Sequence, residues 1–260
     1  IVIRGADAAT VTLDGGGCTG CNVLEVYGSH THVESLTIAH ASRGLRFQGT
    51  GATGNVVRRV VMTDVTAAIA SKDGQSDFYL ADNDLTGRLT WPSVYTDDGG
   101  AHANDDGIHV DGDGHVVCHN RIAGFGDAVK NGTTGYRSFD VYGNDVRWSY
   151  DNAVELDGSA GNARSFRNRY ANVFAPISFQ PVNGGPAYSV RDVVVNVIDE
   201  QMKLHANGTD EPSGIFVWHD TFVTSGHAMH TSTSATSHLV TFRDDLFVGA
   251  PTDGMVIDWD

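Results

Sequence analysis

The sequence predicts an all-β protein, a coil of short strands that climbs one strand spacing with each turn of about 24 residues. Three observations predict it. Similar segments recur at a fixed interval, short stretches alternate apolar and polar residues with period two, and no stretch carries the periodicity of an amphipathic helix. The interval is plainest in VVCHNRI, DVYGNDV, RSFRNRY and YSVRDVV, whose matching residues Asn120, Asn144, Asn168 and Asp192 follow one another at 24 residues. The same phase runs back through Asn83, Arg59 and Ser35, and forward to Asp220 and Asp244. Two intervals are longer: 83 to 120 carries 13 extra residues, and 192 to 220 carries four.

Each turn can be read from its phase residue outward. Two positions before it stands an apolar residue in all nine copies: Val33, Val57, Ala81, Cys118, Tyr142, Phe166, Val190, Trp218 and Phe242. This reads as an inward column, which assigns Cys118 and Trp218 to core packing. The phase residues from Asn83 onward are mostly Asn or Asp and read as a ladder at a bend. Those side chains tolerate left-handed backbone, and stacked amides bond from turn to turn. About ten residues later comes a second short strand, whose alternation points Leu45 and Phe47, Ile108 and Val110, Val154 and Leu156, and Ile177 and Phe179 inward. A turn of this length accommodates three short strands and their bends.

On these repeats the chain resembles a right-handed parallel β-helix of the pectate-lyase-like superfamily, over nearly its whole length. The resemblance implies one β-helix domain over 1–260, with loop insertions near 85–105 and 206–213, and a carbohydrate-active function. It does not fix the chemistry, because one scaffold hosts many sites.

Composition narrows the classes. Asp and Glu total 32 against 17 Lys and Arg, a formal charge of -15, and only Lys72, Lys130 and Lys203 are lysines. Such a chain lacks the broad basic surface that nucleic acid or an anionic membrane requires. No apolar run is long enough to span a bilayer. The opening IVIRG, without Met, reads as a mature or trimmed form, in keeping with a secreted, extracellular or periplasmic monomer. Cys18 and Cys21 form one CxxC in a glycine-rich turn; lacking a second pair, it reads as a local disulfide or two thiols rather than a zinc site. The acidic run NDDGIHVDGDG lacks the loop spacing of an EF-hand and reads as a solvated turn.

The outward positions of the second strand are the functional signal. One column reads Arg46, Ala70, His109, Lys130, Glu155, Ser178, Lys203 and His230. Its neighbour reads Gln48, Lys72, Asp111, Gly132, Asp157, Gln180, His205 and Ser232. Together they hold all three lysines and a concentration of titratable groups that an ordinary solvated sheet would not show. The first insertion carries Trp91, Tyr95 and His102 and leads into the His109 strand; the second follows His205. Both are expected to wall this face into a groove suited to a linear sugar polymer. No phosphate loop, dinucleotide fingerprint or nucleophile elbow points to an organic cofactor.

Two chemistries and one non-catalytic reading fit that groove. The favoured one is a lyase that cleaves a uronic-acid polymer by β-elimination, with His109 as base and Lys130 as acid or carboxylate clamp. Arg46, Lys72, Lys203, His205 and His230 would then bind carboxylates, with Gln180, Trp91 and Tyr95 contacting sugar. Calcium held by Asp111 and Asp157 is the one cofactor this reading admits. The alternative is an inverting glycoside hydrolase using Glu155, Asp157 and Asp111, since residues i and i+2 on a strand lie about 6.6 Å apart. The third reading is a glycan-binding or structural β-helix, its ionic column serving only as surface salt bridges.

Overall fold

The computed structural model describes residues 1–231, 236–252, 254 and 256–259. The chain winds into a parallel β-helix, and every strand pairing in its two large sheets is parallel. One sheet stacks ten strands in chain order, from Val2–Arg4 through Val56–Arg58, Val116–Cys118, Gly161–Phe166 and Ser213–Trp218 to His238–Arg243. The second sheet carries the remaining two strands of each turn. In Thr37–Phe47, Val61–Ala70, Asp145–Glu155 and Arg169–Ser178 these run on as one bent strand; elsewhere they separate, as in Arg121–Phe125 and Val129–Asn131. Three strands per turn is the arrangement the repeat length predicts.

One apolar core fills the coil. Leu45, Phe47, Ile108, Val110, Val154, Leu156, Ile177 and Phe179 are all fully buried, as the alternation predicts. The column expected inward on the first sheet is only partly so. Register places Val33, Val57, Leu80, Val117, Val141, Ser165, Ser189, Val217 and Phe242 in line on the inner face. Cys118, Tyr142, Phe166, Val190 and Trp218 lie one residue further on and therefore point outward. The discrepancy arises because Val60, not Arg59, is the counterpart of Asn83: the Val60 N–H donates to Asn83 Oδ1 at 3.0 Å across 23 residues. Tyr142 and Trp218 are half-buried outer residues. Cys118 is fully buried.

The Asn/Asp ladder is present. Each backbone N–H donates to the side-chain oxygen one turn later: Asn83 to Asn120 (3.0 Å), Asn120 to Asn144 (2.9 Å), Asn144 to Asn168 (2.9 Å) and Asn168 to Asp192 (2.7 Å). Asp192 continues to Asp220 (2.8 Å) and Asp220 to Asp245 (2.7 Å), so the last member is Asp245 rather than Asp244. The left-handed residue is the one before each ladder member. Asp82, His119, Arg167, Arg191 and His219 take φ between 56° and 62° there. The ladder side chain is thus free to serve its neighbours while the preceding residue turns the corner.

A Cys18–Cys21 disulfide closes the glycine-rich turn of the second strand. No helix among the described residues is long and apolar enough to cross a membrane. The first insertion leaves the coil after Thr86, makes one 3-10 turn at Tyr95–Asp97 and re-enters at Ile108.

Candidate active site

Strand register brings the predicted column together. Arg46 pairs with Ala70, Ala70 with His109, His109 with Lys130, Lys130 with Glu155, Glu155 with Ser178, and Ser178 with Lys203. Parallel neighbours sit about 4.8 Å apart, so these side chains leave the sheet as one row. Beside them lies a cleft of about 440 Å³ bordered by His109, Asp111, Lys130, Glu155, Asp157 and Gln180. A second recess of about 410 Å³, bordered by Arg46, Lys72, Asp73 and Asp111, shares Asp73 and Asp111 with the first. The two make one groove along the coil. The second insertion reaches it, with Asn207 and Asp210 lining the wall.

Several predicted residues stand elsewhere. Trp91 and Tyr95 line neither recess. Trp91 packs on the small cluster of Val94, Phe174 and Ala175, and the Tyr95 ring stacks on Phe174 at 6.0 Å. Their apolar area anchors the first insertion to the coil. The same loop is held by Tyr150, whose hydroxyl donates to Asp98, and by His102, whose ring meets Tyr150 edge-on. His205 lies 3.0 Å from Glu200. His230 leaves the column: its carbonyl accepts the Gln201 N–H and its strand, Met229–Thr231, pairs with Ile257–Trp259. Ser232 lies outside the described residues.

The acidic run is not a solvated turn. Asp106 and Asp111 are both buried. Asp106 reaches His109 Nδ1 at 2.9 Å through one oxygen and Lys130 Nζ at 2.9 Å through the other. Asp111 lies 3.5 Å from His109 Nε2, and Asp127 lies 3.1 Å from Lys130 Nζ. Both predicted cations of the lyase chemistry are therefore held by carboxylates. Burial alone would lower the His109 pKa, but bonds and charge from Asp106 and Asp111 raise it to about 9. Burial likewise opposes the Lys130 charge, yet Asp127, Asp106 and Glu155 raise its pKa above the ordinary lysine value. Gly132 lets this cluster close: a Cβ there would stand 2.4 Å from His109 Nε2 and 2.5 Å from Asp111 Oδ1.

Carboxyls on the other side of Lys130 behave differently. Burial, reinforced by the charges of Asp127 and Asp157, holds Glu155 well above the usual carboxylate range. Its partner is Asn152, whose Nδ2 donates at 2.9 Å. Burial raises Asp157 to about 6, and the shift is limited by donors from Gln180 N (2.6 Å) and Ser178 Oγ (2.7 Å) on Oδ1. Asp151, beside Lys203 at 3.8 Å, is raised to about 7 by burial and by Asp127. The site pairs a carboxyl held well above the usual carboxylate range with one raised only to about 6.

Asp106, Asp127, Asp151 and Asn152 are the residues that the sequence pattern left out. Their signal is positional. The side chain three residues before an outward group supports it: Asp106 for His109, Asp127 for Lys130, Asn152 for Glu155. Aligning DGIHV, DAVKN and NAVEL shows the column, which the outward-face pattern overlooks because it starts at the bend.

The donors do not fit calcium held by Asp111 and Asp157. His109 faces Asp111, and N–H and O–H donors face Asp157 Oδ1. Among the described residues, no group of three or more His, Cys, Asp or Glu side chains could hold a metal ion.

Comparison with solved structures agrees with the fold. The catalytic domain of a GH87 α-1,3-glucanase in complex with nigerose matches with a TM-score of 0.70, and a variant of that domain with the same sugar matches with 0.72. Identity is 9% in both, and the match covers 99% of this chain and 57% of theirs, so the chain spans little more than half their length. An alginate lyase from Paenibacillus sp. str. FPU-7 matches with a TM-score of 0.47 at 13% identity, over 96% of this chain and 80% of that one. No family model matches the sequence, and neither does any curated protein. The parallel β-helix expected from the repeats is shared with these domains, and at 9% identity the likeness is one of fold.

Proposed function

We propose that the chain is a glycoside hydrolase that cleaves a linear polysaccharide lying along the groove and inverts the anomeric centre. One observation carries this reading. Glu155 ends its strand and Asp157 stands two residues on, in the turn that follows; both border the cleft, and their surroundings hold Glu155 well above the usual carboxylate range while Asp157 is raised only to about 6. Inversion requires the two carboxyls roughly 6.5–9.5 Å apart, which leaves room for a water between acid and base.

In the step, Glu155 gives its proton to the glycosidic oxygen as the carbon–oxygen bond breaks. Asp157 takes a proton from a water that attacks the anomeric carbon from the opposite face. Ser178 and the Gln180 amide hold Asp157 Oδ1 and so fix the direction of its carboxylate. His109 and Lys130 remain charged; tied to Asp106, Asp111 and Asp127, they keep the floor rigid and oppose build-up of negative charge. At the far end, Arg46 and Lys72 border the recess without an ion pair among the described residues, which suits an acidic sugar unit there. A glucanase domain employing the same scaffold is in keeping with this class.

The lyase reading is supported by one observation, the adjacent cations His109 and Lys130 on the groove floor. They suit the clamping of a uronate carboxylate. With the His109 pKa at about 9 and that of Lys130 raised, neither accepts a proton at neutral pH, so the base would have to be Asp157. Digestion of a panel of acidic and neutral polysaccharides separates the two. Hydrolysis yields reducing ends without the ultraviolet absorbance of an unsaturated uronate; that absorbance rising in step with the reducing ends would establish elimination instead.

A further inference from the structure

The outer face of the first sheet, across the coil from the groove, carries a second cleft of about 450 Å³. Its floor is Phe166, Tyr188 and Val190, and its rim is Arg164, Arg167 and Arg191. We propose that this cleft is a secondary binding site for an anionic polysaccharide, taking an acidic sugar ring against Phe166 with its carboxylates on Arg167 and Arg191.

The aromatic part follows from register. Tyr142, Phe166, Val190 and Trp218 are successive rungs of one outward column. The Tyr142 ring stacks on one side of Phe166, with centroids 4.7 Å apart and planes inclined by 14°. On the other side the next rung is Val190, whose short side chain leaves Phe166 bordering the cleft, with the Arg164 guanidinium 5.9 Å from its ring centroid. Beyond Val190, Trp218 rises again and packs against Phe216 and Tyr188 at 5.4 and 5.7 Å. The single valine makes a notch two rungs tall, about 9.6 Å, between Phe166 and Trp218. A pyranose ring fits such a notch with its C–H face on the aromatic ring.

The charge part is independent of that. Arg167 and Arg191 occupy the left-handed corner position of adjacent turns, with φ of 56° and 58°. Their guanidinium stems therefore leave the coil about 4.8 Å apart, the length of one sugar unit in an extended chain. Like charges stacked this way repel unless an anion bridges them. Two comparable arginines are paired within the fold: Arg59, at the same corner, pairs with Glu34, and Arg164 pairs with Asp140. Neither Arg167 nor Arg191 forms an ion pair among the described residues, and both are exposed. Two unpaired cations on a chain of net charge -15 are complementary to a partner with closely spaced carboxylates.

Only the choice of probe rests on the carbohydrate-active reading. The test is hydroxyl-radical footprinting of the intact protein with polygalacturonate, with dextran as the neutral polymer and polyuridylate as the phosphate polymer. Polygalacturonate is expected to cut the oxidation of Phe166 and Tyr188 at least threefold, and 0.5 M salt should reverse this. Dextran and polyuridylate should leave these residues unchanged. In Arg167→Gln/Arg191→Gln the protection should disappear, while cleavage at the groove, if any, keeps its wild-type kcat. Unchanged oxidation at saturating polygalacturonate would overturn the site. Equal protection by dextran would remove the arginine basis, and protection by polyuridylate alone would reassign the face to nucleic acid. Because protection is read at Phe166 without turnover, a failed hydrolase assignment cannot mimic any of these results.

Discussion

Lys130 Nζ lies 2.9 Å from Asp106 and 3.1 Å from Asp127, closing a buried triad with its lysine in the centre. An amine so placed is a structural counter-ion rather than a proton acceptor. Lys130→Met should leave two carboxylates in the floor without their cation and cost about 3–5 kcal/mol in urea unfolding. Refolded at low temperature, the variant should retain the acid limb of the wild-type pH profile. Loss of that limb, with stability intact, would make Lys130 a direct participant.

The pH profile follows from Asp157 and Glu155. Asp157 must be ionised and Glu155 protonated, so kcat/KM should rise through about 6 and fall only where Glu155 loses its proton. Glu155→Gln should lower kcat by about a thousandfold and abolish the alkaline limb. Asp157→Asn should lower kcat comparably and abolish the acid limb. A wild-type profile flat from pH 5 to 7 would contradict the assignment of Asp157.

Removal of divalent metal by chelation should not change the rate, because Asp111 and Asp157 are turned to His109, Ser178 and the Gln180 amide rather than to a common point. Activity lost on chelation and restored by calcium would place a metal in the groove after all.

Much of this architecture was readable from the letters because a coil repeats its environment. Asn120, Asn144 and Asn168 recur at one interval since each occupies the same bend, and Ile108 and Val110 alternate with His109 since a strand shows its two faces in turn. The whole row from Arg46 to Lys203 followed from that alternation. What escaped depends on a shift of one residue or on contacts across turns. A single missing residue before Asn83 transferred Trp218 from the inner face to the outer one. Asp106 read as part of a solvated turn and Asp127 stood out in no pattern, because their partners, His109 and Lys130, are identified only when the rungs are stacked. Trp91 and Tyr95 looked like sugar contacts, and only the fold reveals Phe174 beneath them.

The ladder offers a stability test. Asn144 accepts from Asn120 N and donates to the Val117 carbonyl at 3.1 Å, both fully inside the coil. Asn144→Ala would leave these groups unpaired and should cost about 2–4 kcal/mol, read as a lower urea midpoint. Asn144→Asp should be nearly as costly at pH 8 and much less so at pH 5, where the carboxyl can stay protonated.

Where the ladder changes from Asn to Asp, the inner column changes from Val to Ser. Ser165 and Ser189 hydroxyls donate to Asp192 and Asp220. Burial nevertheless raises Asp192 to about 6 and Asp220 to about 8. A folded carboxyl pKa above the unfolded value near 3.9 means that the native state binds more protons, so stability falls as pH rises through these values. Unfolding free energy should therefore decline between pH 5 and 8, by at most about 1.4 kcal/mol per pH unit for each group. Asp220→Asn should flatten the upper part of that decline, and an unchanged slope would show that Asp220 does not carry it.

The central claim is that Glu155 and Asp157 hydrolyse a sugar polymer with inversion. Proton NMR of a polysaccharide digest, followed from the first turnover, tests it most directly. The account predicts saturated reducing ends that appear first with the anomeric configuration opposite to that of the cleaved bond, and no such ends with Glu155→Gln. Vinylic protons of an unsaturated uronate, or new ends that retain the original configuration, would contradict it.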